Sequence, residues 1–209
     1  MVTLFAGIGC ASLAPDTAAN VAALEAFDAA PARLLAPETG GEAQAYLSGS
    51  LSAMHAGKPA HAAMFLDAIL RSDHLTDRGR ANVYWLASEA HRLAKHDDAL
   101  LDALGGFLVA SAVLPSDDEL RVREVEARAT LLARKVKDRA LFGKSPGAAI
   151  PVEDARDPSG IVAELGCVED KVATMPASQL DERRLEQRRM ICSESGDSLV
   201  LWFDVTHTR

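Results

Sequence analysis

The sequence predicts a mainly α protein: antiparallel helical hairpins through the middle of the chain, then a small C-terminal α+β appendage containing a β-hairpin. Three observations point there. Alanine dominates an apolar fraction of 48%, while aromatics supply only 5%. Ala is the best helix former, whereas strands prefer aromatic and β-branched residues. Between residues 42 and 143 apolar side chains recur at i, i+3, i+4 and i+7, the spacing of one helical face. Only at Leu199-Val200-Leu201-Trp202-Phe203 does a strand-like apolar run appear.

The first hairpin is expected from Glu42 onward. Leu47, Leu51 and Met54 share a face, and Gly57-Lys58-Pro59 ends that helix and opens the next. Gly suits a left-handed cap and Pro fits a first helical turn. Ala62, Phe65, Leu66, Ile69 and Leu70 line the second helix, and the polar stretch 71–79 connects it onward. A second hairpin follows. Val83, Ala87, Ala90 and Ala94 give a narrow small-residue face, Lys95-His96-Asp97 the turn, and Ala99, Leu100, Ala103, Leu104, Phe107 and Leu108 the next stripe. Gly105-Gly106 within that stripe implies either close backbone packing or an early helix end, since a helical Gly costs about 1 kcal/mol against Ala.

A third helix is expected after Ser116-Asp117-Asp118-Glu119, which reads as a capping box with acids in the first turn. Val122, Val125, Ala129, Leu132 and Val136 continue it. Composition then shifts at Lys144-Ser145-Pro146-Gly147 and again at Asp157-Pro158-Ser159-Gly160, marking residues 144–160 as an extended linker. In the region 161–209, Ser178-Gln179-Leu180-Asp181 is expected to cap a short helix running through Arg189. Its arginines Arg183, Arg184, Arg188 and Arg189 alternate with acids, as a solvated face or a grip for an anion. Residues 189–193 and 198–205, around Glu194-Ser195-Gly196-Asp197, read as a β-hairpin.

Ser50 and Ala62 lie twelve residues apart across the first turn, and Ala87 and Ala99 twelve apart across the second. With the run Trp85-Leu86-Ala87-Ser88-Glu89-Ala90 through Asp98-Ala99-Leu100, this resembles the tetratricopeptide repeat. The resemblance covers residues 42–115, with 116–143 as a degenerate third unit. Ala62 to Ala99 spans 37 residues, against roughly 34 in that family, and Ala103 stands where the family has a large aromatic. An irregular helical bundle with coincidental spacing is the other reading. A solenoid of this kind would place His55, Tyr84, Ser88, His91 and Arg92 along a concave groove suited to a peptide.

The opening residues 1–15 are apolar and uncharged, and residues 16–41 are expected to form an N-terminal helix and loop. Gly7-Ile8-Gly9-Cys10 resembles the lipobox of a bacterial lipoprotein, which makes Cys10 the lipidated residue. Gly7 replaces the usual Leu and no basic segment precedes the apolar run, as a start codon placed too late would explain. The alternative is an apolar segment packed on the body with Cys10 buried. If Cys10 is lipidated, Cys167 and Cys192 remain to pair in an oxidising periplasm. Three reduced cytosolic thiols are the other possibility. A Cys167–Cys192 bridge would brace the hairpin by on the order of 3 kcal/mol.

The charge of −8, from 22 basic and 30 acidic residues in 209, disfavours nucleic acid. No apolar run reaches the roughly 18 residues of a membrane helix. Six histidines occur without an HExxH pair, and no nucleophile elbow, phosphate loop or dinucleotide fingerprint is present. No catalytic residue, metal ligand or cofactor is therefore expected. The expected function is a non-enzymatic scaffold, exported and lipid-anchored in the bacterial envelope, that binds a partner protein or peptide. A cytosolic helical adaptor is the first alternative. The second is a hydrolase or ligand-binding protein with its site between the helices and the C-terminal hairpin, marked by a deep polar pocket containing His207 or the arginines.

Overall fold

A computed structural model describes residues 34–175, 183–193 and 196–208. The apolar segment with Cys10, and nearly all of the expected N-terminal helix and loop, lie outside these residues. The described chain is mainly helical and ends in a four-stranded mixed sheet. It divides into two units: Met1–Leu75 with Glu89–His96, and Thr76–Ser88 with Asp97–Arg209.

In the first unit, α1 (Gly40–His55) begins two residues before the periodicity shows, because Thr39 caps it. The Thr39 hydroxyl accepts the Glu42 N–H at 3.2 Å, and the Glu42 carboxylate accepts the Glu38 N–H at 2.7 Å. Gly57, at φ 70°, stops the helix. The N–H of Lys58 then reaches the Ala53 carbonyl and that of Gly57 the Met54 carbonyl, satisfying the orphan acceptors of the last turn. α2 (Pro59–Leu70) opens on its proline and packs back along α1. Gly49 lets the Phe65 ring approach to 3.0 Å of where a Cβ would stand, and Tyr46 meets Phe65 edge-on at 5.6 Å.

α3 (Asp77–Ala94) begins in the second unit, and its last turns belong to the first. It ends as α1 does. Lys95 stands at φ 59°, His96 N–H donates to the His91 carbonyl, and Lys95 N–H donates to that of Arg92. Gly57 and Lys95 are 38 residues apart, and at that offset the two stretches agree in sequence: Gly41 with Gly79, Ala43 with Ala81, Tyr46 with Tyr84, Ser50 with Ser88, Leu66 with Leu104, Leu70 with Leu108. Ser50 and Ser88 are both buried, and each donates its hydroxyl to the carbonyl three residues back at 2.7 Å. At that offset Ala62 corresponds to Leu100, one residue beyond Ala99.

In the second unit, α4 (Asp97–Ser111) runs unbroken through both glycines. Gly106 faces α3, where a Cβ would overlap the Tyr84 ring, while Gly105 has open space. The Trp85 and Phe107 rings meet at 5.3 Å, inside a core with Ala81, Leu104, Ala110, Leu120 and Ala127. The third helix is two pieces, α5 (Glu119–Val122) and α6 (Glu124–Asp138), and its cap is Asp118, not Ser116. Asp118 accepts the Leu120 N–H at 2.9 Å and Arg78 Nε at 2.8 Å.

The sheet has the order β1-β4-β3-β2, with β1 (Ile150–Pro151) parallel to β4 (Ser198–Asp204) and the rest antiparallel. Residues 144–160 are thus more than a linker: Ile150 pairs beside Phe203 and is fully buried, and α7 (Asp157–Glu164) starts within them. The β3–β4 hairpin stands where the sequence placed it, and β2 (Cys167–Met175) extends it. The helix expected through Arg189 is replaced by β3 (Leu185–Cys192), the part over 176–182 lying outside the described residues. Of the alternating charges, Glu186 and Arg188 pair along one strand, β3, and the arginines also reach acids on β2. Arg188 turns inward to Glu169, Glu186 and Ser159, and Arg189 turns outward to Asp170 at 3.5 Å. Ala129, Ala133 and Val136 of α6, Ile161 and Val162 of α7, and Met190, Leu201 and Phe203 of the sheet form the second core of this unit.

Candidate functional site

Four of the five residues expected along a groove follow one another on α3. Tyr84 packs on Gly106. Ser88 is 1% exposed with its hydroxyl turned to the Trp85 carbonyl. His91 is 4% exposed, with Nε2 3.1 Å from the Asp67 carboxylate, Nδ1 buried without a partner among the described residues, and the His96 ring 5.7 Å away. Arg92 is exposed and bonds Glu89. His55, at the end of α1, is exposed. The 38-residue correspondence separates these residues further. Tyr84 and Ser88 recur as Tyr46 and Ser50, whereas His91 and Arg92 replace Ala53 and Met54.

Cys167 and Cys192 are directly opposite on β2 and β3 and form a disulfide across a separation of 25 residues. Among the described residues, no group of three or more His, Cys, Asp or Glu side chains is placed to hold a metal ion.

A cleft of about 790 Å³ in the second unit gathers side chains that sequence reasoning did not connect. Leu108 and Val109 of α4, with Ala112 just beyond its end, form an apolar wall. Arg121, Glu124 and Arg128 come from α5 and α6, Glu153 and Asp154 from the segment before α7, and His207 from the chain's end. Ser111 donates to Glu124 Oε1 at 2.6 Å, and Arg121 Nη1 donates to the same oxygen at 2.8 Å. Arg128 Nε donates to Asp157 Oδ2 at 3.2 Å, while its Nη1 stands 3.6 Å from Glu124 and 3.8 Å from Glu153.

Asp157 is fully buried and also accepts the Glu153 and Asp154 N–H groups, so it anchors both Arg128 and the loop. The hydrogen bond from the Arg156 guanidinium holds the Asp154 carboxyl down at about 2, against its burial, so this acid is ionised across the physiological range. The cleft therefore offers fixed charges of both signs beside an apolar wall. Its residues span positions 108 to 207 on separate elements, and no local pattern links them.

No family model, curated protein or solved structure matches this chain.

Proposed function

We propose that the protein is a non-catalytic helical-repeat scaffold, built like a tetratricopeptide solenoid, that holds a partner protein or peptide in the bacterial envelope. In this reading Cys10 carries the lipid anchor. The observation that carries the proposal is the recurrence of one hairpin at a 38-residue offset, with the same turn, the same buried serine bond and the same tyrosine. Repeated hairpins closed by small residues are the building unit of solenoids, and solenoids present extended binding faces. The Cys167–Cys192 bond fits an oxidising compartment. Within the second hairpin, Tyr84 packs on Gly106, Ser88 makes the bond it shares with Ser50, and His91 is buried, which leaves Arg92, with His55 from the first, as the exposed contact candidates.

The test is a photo-crosslinking residue at position 55 or 92 of the native, membrane-associated protein. One discrete adduct from either position is expected. Failure of both positions to trap any envelope protein contradicts the scaffold. Mass spectrometry of the same material is expected to show a diacylglyceryl group on Cys10 with residues 1–9 removed.

The cleft supports a second reading, small-ligand binding, because charged side chains of both signs and His207 line it beside an apolar wall. A cleft of this volume lies within the range of about 300–1,000 Å³ occupied by small-molecule sites.

A further inference from the structure

We infer that the cleft between α4, α5, α6 and the chain's end binds a short apolar peptide through both of its free termini. This rests on the ligand-binding reading and is independent of the scaffold reading.

Three chemistries meet in the cleft. The first is a pair of guanidinium groups fixed from behind. Arg121 is tied through Nη1 to Glu124 and to the Ser111 carbonyl, and Arg128 through Nε to Asp157. Among the described residues neither Nη2 meets an acceptor, although the Arg128 side chain is only 15% exposed. A guanidinium already oriented loses little freedom on pairing, and its planar N–H groups match a carboxylate. The second is Glu153. It is 81% exposed and stands 3.8 Å from Arg128, beyond hydrogen-bond range, so its carboxylate is available to an ammonium. The third is the wall of Leu108, Val109 and Ala112, in which Val109 is largely exposed and gains by being covered.

Each simpler ligand fails against part of this lining. A plain anion would meet Glu124 and Glu153, a plain cation would meet Arg121 and Arg128, and an uncharged apolar molecule would leave the guanidinium groups unpaired and partly desolvated. A peptide of two or three residues separates its charges by several ångströms. It can set its carboxylate on Arg121 and Arg128, its ammonium on Glu153, and a Leu-like side chain on the wall.

Calorimetric titration of the full-length protein with Leu-Leu, N-acetyl-Leu-Leu and Leu-Leu amide tests this. Leu-Leu is expected to bind, with each capped form weaker by about tenfold or more, the loss of one charge-assisted contact. Glu153→Gln, at an exposed position, is expected to weaken Leu-Leu by a similar factor and to abolish the difference between the free and acetylated peptides. Val109→Glu, also exposed, is expected to weaken all three. No heat with Leu-Leu at about 10 mM, a Kd far above ordinary ligand affinities, overturns the inference. So does equal binding of the capped forms, or indifference to Glu153→Gln. None of these results bears on crosslinking from positions 55 and 92.

Discussion

Gly105 and Gly106 sit side by side in α4 under different constraints. Space is open around Gly105, so Gly105→Ala is expected to stabilise the protein by about 1 kcal/mol through helix propensity alone. Gly106 lies under the Tyr84 ring, so Gly106→Ala forces the ring or the helix aside and is expected to cost roughly 1–3 kcal/mol. Urea midpoints of the two variants should move in opposite directions. The sequence showed that two glycines stood in a helical stripe but not which of them faced α3, since that depends on a rotation of the helix by one residue. Asp154 makes a second statement at this scale. Its carboxyl is depressed to about 2 by the Arg156 hydrogen bond, so its contribution to stability is complete above about pH 4 and fades as pH falls toward 2. Asp154→Asn is expected to flatten that part of the acid-unfolding curve and to leave the curve above pH 5 parallel to the parent.

Among the elements, those with small residues at helical spacing were legible: α1 to α4 fall where helices were expected, and the breaks at Gly57 and Lys95 fall at the expected turns. β3 was not. Its charges at one- and two-residue spacing fit either a polar helix or a strand whose partners lie across the sheet, and only the neighbours β2 and β4 decide. Arg188, which the alternation placed in solvent, is buried and held by Glu169, Glu186 and Ser159, with Phe203 beneath it. Removing it leaves two partly buried carboxylates unpaired, so Arg188→Met is expected to cost about 3 kcal/mol, read as a lower urea midpoint. Reducing the disulfide frees a 25-residue loop in the unfolded chain and is expected to lower stability by on the order of 3 kcal/mol. An unchanged midpoint in reductant, with both thiols shown to be free, would contradict that assignment.

At the scale of the whole molecule, the cleft and the 38-residue correspondence were both hidden in the sequence, for different physical reasons. The cleft draws on residues up to a hundred positions apart and has no local signature. The correspondence was masked because Lys95 holds the left-handed turn that Gly57 holds in the first copy, and glycine is the residue that marks such turns. If the two hairpins are equivalent, the turn of the first should serve the second. Replacing Lys95-His96-Asp97 with Gly-Lys-Pro, the residues at 57–59, relieves a lysine in a left-handed conformation, which costs roughly 1–2 kcal/mol. It also sets Pro at the first helical position of α4, where it is tolerated. A thermal melt of this graft is the most direct test: the repeat account predicts one cooperative transition at a higher Tm than the parent, and loss of helicity or a lower Tm would contradict it.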